Sequence, residues 1–548
     1  MFNLKPYYLI RKIIKLIEDS KTSFCLWAIA FASIIIVRIF TEMYLGKFSN
    51  QMSLFYEFSH TFLFFIFSYV IFLFIFKKFI QHDIKKASNV LLFGYIIIIF
   101  PPIIDHIISN GKGFWSFYKF DGLIGLFQRF LTFFGDNPTV GITYGVRIEV
   151  FLSILMFLVY AYIKTKSMKK SALMGLLIYC VFFILGTFPS WITILTQGFQ
   201  KGFLSIHEIH VAQMFLSSLK VFSGETGSLI DALNIKMSII YALLFPTTLL
   251  LLSWGYFKNK LKPFLKNIRL PQIIFHLGLF FIGIGLATLF TDCEWEIDFF
   301  NIATILLASQ SIILAWVTSI IINDIFDQEI DSISNTDRPL ITKIFSESQY
   351  KVIGSLTFIF SIFFAFIISP AIAILLLSYQ AIALIYSVPP LQLKRIPLVA
   401  TFLSALASLM ILIIGFILVA PDQTIKLLST NIQWLLLITL TISLPIKDLK
   451  DITGDKKEKI LTLPVIFGEY YGKTIIASGI FISFLLSVFF LNEHRLFWWS
   501  ILFGGLAFWI VSLSNQNKYI SYKNINWWLL GVVFLYGLLL AKYIIQSI

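Results

Sequence analysis

The chain of 548 residues is 58% hydrophobic and only 13% charged, and its formal net charge is +14. A mean hydropathy of +0.86, with repeated apolar runs of about 17 to 25 residues, indicates an integral α-helical membrane protein and excludes a soluble domain. The positive charge does not indicate a nucleic-acid partner, because Lys and Arg cluster in short loops between spans, as the positive-inside rule requires.

The N-terminal half, residues 1–256, is predicted to contain six membrane spans. The segments between some spans, 105–148 and 197–236, are too long for simple turns and are expected to contain interfacial helices or re-entrant pieces. No motif in this half indicates a function, which the sequence leaves open. The six spans are expected near residues 24–45, 60–76, 89–104, 149–163, 172–196 and 237–256.

Three ionisable residues, Arg38, Glu42 and His60, lie near the ends of the first two predicted spans. Ionisable groups at this depth are costly and are usually paired or functional. We expect these three to pair with one another, and the alternative is that they serve a site of unknown role.

A basic stretch at 257–271 is predicted to be a cytoplasmic linker between membrane domains 1–256 and 272–548. The complete prediction is an all-α polytopic membrane protein with about 15 spans, the N-terminus inside and the C-terminus outside. This orientation puts most of the Lys-rich loops on the cytoplasmic side. The nine C-terminal spans are expected near residues 272–291, 299–323, 351–369, 371–388, 398–419, 432–446, 474–491, 497–514 and 527–546.

Two acidic clusters with identical spacing lie where apolar runs give way to polar residues. A carboxylate at the centre of a spanning helix costs roughly 3 kcal/mol, so such groups are usually paired, metal-bound or functional. The spacing i, i+3, i+7 predicts that each cluster lies within roughly 60° of arc on one α-helix, with Asn323 in reach of the first. The two clusters are Asp324, Asp327, Asp331 and Asp448, Asp451, Asp455.

Hard oxygen ligands on two opposed faces suit Mg²⁺, which keeps several waters and completes its octahedron with phosphate oxygens. Basic residues accompany both clusters, among them Arg338 and Lys447. An anion held through a metal and contacted by Arg or Lys is a typical diphosphate site. A single acidic pattern of this kind usually marks a solvated helix face, but two matched clusters favour a site for a cation and a diphosphate.

These clusters and the loop between them resemble the motifs of the UbiA family of membrane prenyltransferases. The first motif reads NDIFDQEID at 323–331, followed by DRPL at 337–340. The second reads KDLKDITGD at 447–455, followed by TLP at 462–464. Between them, YSVPPLQLKR at 386–395 is similar to the family's inner loop. The resemblance covers about 272–548.

The resemblance implies a nine-helix bundle around a central cavity. It also implies an Mg²⁺-dependent enzyme that moves a prenyl group from its diphosphate to a hydrophobic acceptor, either a lipid or an aromatic compound. Within the family, the Asp-rich motifs look closest to enzymes that alkylate prenylglycerol phosphates or to chlorophyll-type synthases. The enzyme would lie among membrane lipids in the plasma membrane, with its active site facing the cytoplasm.

Residue roles follow from the same resemblance. It implies metal binding by Asn323, Asp324, Asp327, Asp331, Asp448, Asp451 and Asp455. It implies diphosphate contacts from Arg338, Lys394 and Lys447, and it puts Tyr386 at the reacting end, so that Asp327, Asp331, Asp451, Asp455 and Tyr386 are the expected catalytic residues.

Two other functions are compatible with the acidic clusters. A cation transporter would bind its permeating ion with carboxylates, but it predicts acidic residues near the bilayer midplane and broken helices in both halves. A non-catalytic lipid-binding scaffold would tolerate loss of the aspartates, and all six are present.

Overall fold

The structure, a computed structural model, describes residues 5–46, 51–80, 83–217, 229–291, 298–420, 424–457, 460–515, 520–522 and 524–545. These residues are almost entirely helical. Two short strands, Trp115–Ser116 and Val140–Gly141, pair in parallel. Within the described ranges 15 helices are long and apolar enough to cross a membrane, and nine of them follow residue 269. The predicted all-α polytopic fold and its span count are therefore confirmed.

Contacts between residues divide the chain into two compact units. One comprises Met1–Leu219 and Glu225–Ser253, and the other comprises Lys220–Gly224 and Trp254–Ile548. The predicted linker at 257–271 is largely helical, because a helix continues to Asn267 and the next begins at Leu270. The boundaries 1–256 and 272–548 remain a prediction.

The N-terminal unit consists of long spanning helices and shorter ones between them, and its last helix, Leu229–Asn267, extends beyond the end of the unit at Ser253. Both long connecting segments contain short helices, as expected. The elements are α1 Lys5–Glu18, α2 Phe24–Gly46, α3 Gln51–Ile80, α4 Ile84–Gly94, a 3₁₀ turn Tyr95–Ile99, α5 Pro101–Ile108, α6 Leu123–Leu131, α7 Tyr144–Thr165, α8 Met168–Gly186, α9 Phe188–Lys201, a 3₁₀ turn Phe203–Ser205, α10 Glu208–Leu216 and α11 Leu229–Asn267, which has non-helical backbone angles at Phe257.

The C-terminal unit contains the nine-span set and two short helices, each of which contains the last aspartate of one acidic motif. Its elements are α12 Leu270–Phe290, α13 Phe299–Phe326, α14 Gln328–Ser334, α15 Glu347–Ile368, α16 Pro370–Ser387, a 3₁₀ turn Leu393–Arg395, α17 Val399–Val419, α18 Thr430–Ser443, a 3₁₀ turn Leu444–Lys450, α19 Ile452–Lys457, α20 Leu463–Leu491, a 3₁₀ turn His494–Leu496, α21 Phe497–Ser512 and α22 Ile525–Ile545.

Helices α12 and α17 approach each other closely at a pair of glycines. A Cβ atom on Gly283 would lie 2.1 Å from the carbonyl oxygen of Leu412, and one on Gly415 would lie 2.0 Å from that of Phe280. Small residues permit such backbone contact between spanning helices, where lipid offers little hydrophobic drive for association. This contact fixes two helices that line the cavity described next.

Candidate active site

A cavity of about 600 Å³ lies inside the C-terminal unit. Its apolar part is lined by residues such as Ile480, Phe484 and Leu529. Its charged part brings together five carboxylates and five cationic side chains. The carboxylates belong to Asp327, Asp331, Asp448, Asp451 and Asp455, and the cations to Arg269, Arg338, Lys394, Lys447 and Lys450.

Both acidic motifs change direction at their middle aspartate. Helix α13 ends at Phe326, and Asp327 has φ −109° and ψ 17° before α14 begins. The second motif repeats this: the 3₁₀ turn ends at Lys450, and Asp451 has φ −108° and ψ 7° before α19. The prediction that each cluster lies on one continuous helical face is therefore wrong, because a helix break separates its first aspartate from its last.

Short helices α14 and α19 bring the two motifs together. The amide of Asn335 donates to Asp331 Oδ1 at 3.1 Å and to Asp451 Oδ1 at 3.2 Å, which joins the clusters directly. A Cβ atom on Gly454 would lie only 2.6 Å from Ser334 Oγ and 2.9 Å from Ile330 Cγ2. Glycine at this position therefore permits the close approach of the two helices.

Ion pairs hold the carboxylates of the first motif. Arg338 is buried and pairs with Asp331, and Lys394 from the loop after α16 pairs with Asp327. Each pair joins an aspartate to a basic residue that the family resemblance assigns to the diphosphate. The amide oxygen of Asn323 lies at the same wall and accepts from Ser387 Oγ at 3.4 Å.

Asp324 occupies a different place from the one its motif predicted. It is 1% exposed and is not among the described residues that line the cavity. Its carboxylate accepts hydrogen bonds from four side chains: Asn267 at 2.6 Å, Arg338 at 2.8 Å, Tyr350 at 3.0 Å and Arg269 at 3.4 Å. These donors use both oxygens, so in this structure Asp324 contacts Arg338 and Arg269, and its predicted role in metal binding stays a prediction.

The second motif carries a cation beside the expected reacting position. Lys447 Nζ donates to the hydroxyl of Tyr386 at 2.9 Å and to Ser404 Oγ at 3.1 Å. It also lies 4.9 Å from the centre of the Tyr386 ring. Lys450 Nζ is 3.8 Å from Asp451 Oδ2. Asp448 and Asp455 face the same cavity, so the motif presents both charges to it.

Crowding of buried carboxylates changes their protonation equilibria. Burial raises the pKa of Asp331 to about 7; Arg338 opposes the shift, and Asp324 and Asp327 add to it. Burial likewise raises the pKa of Asp455 to about 7, with contributions from Asp448, Asp451 and Asp327. Burial, more than the neighbouring carboxylates, therefore disfavours the charged forms of Asp331 and Asp455, and an added cation would favour them.

The donor set fits Mg²⁺ as an open site. The carboxylate oxygens are hard ligands, and Mg²⁺ commonly takes one or two of them together with water and phosphate oxygens. Among the residues that the structure describes, no group of three or more His, Cys, Asp or Glu side chains is arranged to hold a metal ion by itself.

Three residues of the charged region were not identified from the sequence. Arg269 had been assigned only to the basic linker, although it directly precedes α12 and lines the cavity. Lys450 lies inside the second motif, at a spacing of three residues from Lys447, which could have indicated its role. Asn335 follows the first motif outside any recognised pattern, and only the contact between α14 and α19 shows its bridging position.

Comparison with known proteins agrees with the motifs. Two similar proteins are digeranylgeranylglyceryl phosphate synthases. The protein from Methanosphaera stadtmanae is 29% identical over 164 residues, which span 30% of this chain and 58% of the relative. The protein from Methanococcus maripaludis is 26% identical over 267 residues, which span 46% of this chain and 89% of the relative.

Solved structures also resemble about half of the chain. A UbiA homologue from Archaeoglobus fulgidus bound to GPP and Mg²⁺ is 16% identical, with a TM-score of 0.41 over 52% of this chain and 98% of that chain. A structure of digeranylgeranylglyceryl phosphate synthase is 20% identical, with a TM-score of 0.38 over 53% and 99%.

The family model that matches the chain is that of the UbiA prenyltransferase family, and the match spans residues 279–538. All three sequence motifs lie inside this range. Residues 279–538 therefore belong to the UbiA prenyltransferase family.

Proposed function

We propose that the C-terminal unit is an Mg²⁺-dependent prenyltransferase that moves a prenyl group from a prenyl diphosphate to a hydrophobic lipid or aromatic acceptor. The observation that carries this proposal is the convergence of five carboxylates and five cationic side chains on one end of an otherwise apolar cavity. A diphosphate and its metal need both signs of charge, whereas a prenyl chain needs an apolar wall.

The carboxylates that face the cavity are suited to hold the metal. Asp327, Asp331, Asp448, Asp451 and Asp455, with the amide oxygen of Asn323, would bind Mg²⁺. The metal would supply positive charge that stabilises the diphosphate as a leaving group. We exclude Asp324 from this set because its oxygens are already bonded to four side chains.

The basic side chains are suited to the diphosphate. Arg338, Lys394 and Lys450 lie beside the carboxylates, where charge-assisted hydrogen bonds to diphosphate oxygens are strong. As the allylic C–O bond breaks, its electron pair goes to the diphosphate, and these side chains stabilise the growing negative charge. The acceptor atom then bonds to the prenyl carbon and releases its proton.

Tyr386 and Lys447 are suited to the reacting end. The Lys447 ammonium group donates to the Tyr386 hydroxyl and holds the ring beside the charged region. An aromatic face attracts positive charge, so the ring can stabilise the developing allylic cation. The apolar wall near Phe484 and Leu529 excludes water that would otherwise capture this cation.

The relatives favour a lipid acceptor with a hydroxyl group. Both similar proteins are digeranylgeranylglyceryl phosphate synthases, and enzymes that alkylate prenylglycerol phosphates are one of the two subgroups that the Asp-rich motifs resemble, the other being chlorophyll-type synthases. The enzyme would lie in the plasma membrane with its charged end toward the cytoplasm, because this orientation agrees with the predicted distribution of Lys and Arg in the loops.

The test is release of diphosphate by the full-length protein in membranes, with labelled geranylgeranyl diphosphate, Mg²⁺ and a panel of glycerol phosphate lipids and aromatic acceptors. We expect a new prenylated lipid that requires Mg²⁺. Asp327→Asn and Asp451→Asn should each reduce the rate by about 10²–10³, as loss of one electrostatic contact in a transition state typically does.

Asp337→Asn is the matched control, since its side chain is 71% exposed and pairs with Lys266 at the surface. It should retain the rate of the unaltered protein. If folded protein gives no product with any acceptor, or if Asp327→Asn is as active as Asp337→Asn, the proposal is wrong. A cation transporter would then become the better explanation.

A further inference from the structure

A second cavity, of about 650 Å³, lies inside the N-terminal unit, for which no function is assigned. Its walls come from α1, α2, α3, α4, α7, α8 and α11. Along α3 the lining residues extend from Glu57 to Phe76, about 28 Å at the rise of an α-helix. The cavity is therefore long and narrow, with a length close to the thickness of the hydrocarbon core.

Polar and apolar residues occupy different parts of this cavity. On α3 the lining residues Glu57, His60 and Thr61 come first, and the phenylalanines from Phe64 to Phe76 follow. On α7 Glu149 lies near the start of the helix, followed mainly by apolar residues such as Phe157. A cavity with one polar end and a long apolar remainder matches an amphipathic molecule, that is, a lipid.

Among the residues that the structure describes, the polar end is lined by three carboxylates and one guanidinium group. Arg38 lies 3.6 Å from Glu42 and 3.8 Å from Glu149, and it donates to the carbonyl oxygen of Ile98 at 3.0 Å. The predicted pairing of Arg38 with Glu42 is therefore confirmed. Glu57 lines the same end, so the acidic groups outnumber the guanidinium group there.

His60 is bonded to other residues than those predicted. Its Nδ1 atom lies 2.9 Å from Asn234 Oδ1, and its Nε2 atom lies 2.5 Å from the hydroxyl of Tyr118. That hydroxyl is 3.0 Å from the hydroxyl of Tyr241. The predicted pairing of His60 with Arg38 or Glu42 is wrong; instead His60 belongs to a neutral network that forms one wall of the polar end.

Two buried groups at the polar end have unused hydrogen-bonding capacity. Arg38 is 8% exposed, and its Nε atom is buried with no hydrogen-bond partner among the described residues. Glu149 is 9% exposed, and within the same residues its nearest cationic contact is Arg38 at 3.8 Å, beyond hydrogen-bond distance. Leaving buried polar groups unsatisfied is costly, so a ligand that donates to Glu149 would be stabilised, and the oxygen of a hydroxyl head could also accept from Arg38 Nε.

We propose that this cavity binds a single lipid whose head is a non-anionic hydrogen-bond donor, namely a hydroxyl or an amine. Such a head donates to Glu57 and Glu149, while its hydrocarbon chain lies along the phenylalanines of α3. A hydroxyl or amine head suits this end better than a phosphate or diphosphate head, because Arg38, the cationic group that lines it among the described residues, already lies beside two carboxylates. This inference does not depend on prenyl transfer by the other unit.

The test uses the full chain in nanodiscs and three photoactivatable lipids that share one diazirine-bearing chain. Their heads are glycerol, a primary amine and a phosphate. Peptides from α3 and α7 should be labelled by the glycerol or the amine lipid, and the phosphate lipid should label them at least about tenfold less. Preference for glycerol identifies a hydroxyl head, and preference for the amine identifies a cationic head.

Substitutions of the two glutamates test where the head group of the lipid binds. Glu57→Leu and Glu149→Leu should each remove most of the preference for the glycerol or amine lipid over the phosphate lipid. Glu57→Gln should reduce labelling by the amine lipid and retain labelling by the glycerol lipid. Glu208→Leu is the matched control, because Glu208 is exposed on α10 of the same unit. Thermal unfolding checks that each variant is folded.

Three results would overturn the proposal: equal labelling by all three heads, stronger labelling by the phosphate lipid, or no labelling of α3 and α7 above the rest of the chain. Folded Glu57→Leu and Glu149→Leu variants that behave like Glu208→Leu would also overturn it. If both variants fail to fold, the head-group preference of the unaltered chain decides whether the proposal is right.

Discussion

The two units contain cavities of nearly equal volume, about 600 and 650 Å³, and both have extensive apolar walls. Their charged ends differ. The C-terminal cavity presents as many cationic side chains as carboxylates, whereas the N-terminal cavity presents three carboxylates and one arginine. Volume and apolar lining therefore indicate a hydrophobic ligand in both, and only the balance of charge distinguishes a diphosphate from a neutral or cationic head.

The charged groups also belong to different kinds of local structure. In the C-terminal unit, Asp327, Asp331, Asp451 and Asp455 lie at or beyond the ends of spans, on short helices and turns. In the N-terminal unit, Glu57 and Glu149 lie inside spans. Carboxylates at span ends can contact water, metal and substrate. Carboxylates inside a span are stabilised by neighbouring residues or by a ligand in the cavity.

Removal of metal by a chelator should give the largest difference between the two cavities. We expect EDTA to reduce diphosphate release to background and Mg²⁺ to restore it, because the carboxylates alone repel the substrate. Photolabelling of α3 and α7 should not change, since that cavity is proposed to bind its lipid without metal. Equal sensitivity of both signals to EDTA would contradict the distinction between the two sites.

A second comparison concerns the stability that two buried carboxylates contribute, one that accepts several hydrogen bonds and one that accepts none from its nearest cation. Asp324→Asn should lower the free energy of unfolding by about 3 kcal/mol, because it removes the buried counter-charge of Arg269 and one of the two buried counter-charges of Arg338. Glu149→Gln should cost about 1 kcal/mol or less, as its contact with Arg38 is long.

Unfolding of the full chain in detergent, measured for both variants, checks this comparison. If Asp324→Asn retains full stability and instead shifts the Mg²⁺ concentration needed for activity, Asp324 is a metal ligand after all. A loss of stability with unchanged Mg²⁺ dependence supports a role in pairing with Arg338 and Arg269.

The cations of the C-terminal cavity should act on substrate affinity. Lys394→Met should weaken binding of the prenyl diphosphate about 10–100-fold, the equivalent of one charge-assisted hydrogen bond of about 1.5–3 kcal/mol. Lys351→Met is the control, because Lys351 is 60% exposed and pairs with Glu347 one helical turn away. Equal affinities of the two variants would show that Lys394 serves only to pair with Asp327.

The last prediction tests the close approach of the two motifs. Gly454→Ala should destabilise the C-terminal unit by about 1–3 kcal/mol and lower activity, because its Cβ would overlap Ser334 and Ile330. Gly278→Ala in α12 has nothing within 4 Å of the added Cβ and should not destabilise the unit. Matching melting temperatures for the two variants would argue against tight packing of α14 on α19.

The span count and the family could be predicted from sequence because both depend on local patterns. An apolar run long enough to cross the bilayer is visible in the chain itself, and all 15 predicted spans correspond to helices. The motifs at 323–340, 386–395 and 447–464 are likewise contiguous, and they contain most of the residues that the cavity brings together.

The contacts of each aspartate could not be predicted from sequence, because they depend on the direction of the backbone within the motif. Equal spacing in sequence made Asp324 look equivalent to Asp327, but the break at Asp327 turns the rest of the motif toward the cavity and leaves Asp324 among Asn267, Arg269 and Tyr350. Helical periodicity has no means of predicting such a break when no proline or glycine occurs there.

The sequence by itself therefore determined the membrane topology class, the two Asp-rich motifs and their family, since hydropathy and motif spacing are properties of neighbouring residues. Only the tertiary structure decided which charges share a cavity. Arg269 and Asn335 join the C-terminal site, and Arg38, Glu57 and Glu149 meet in the N-terminal one, through contacts between helices far apart in the chain. Such contacts arise from packing, which no local pattern encodes.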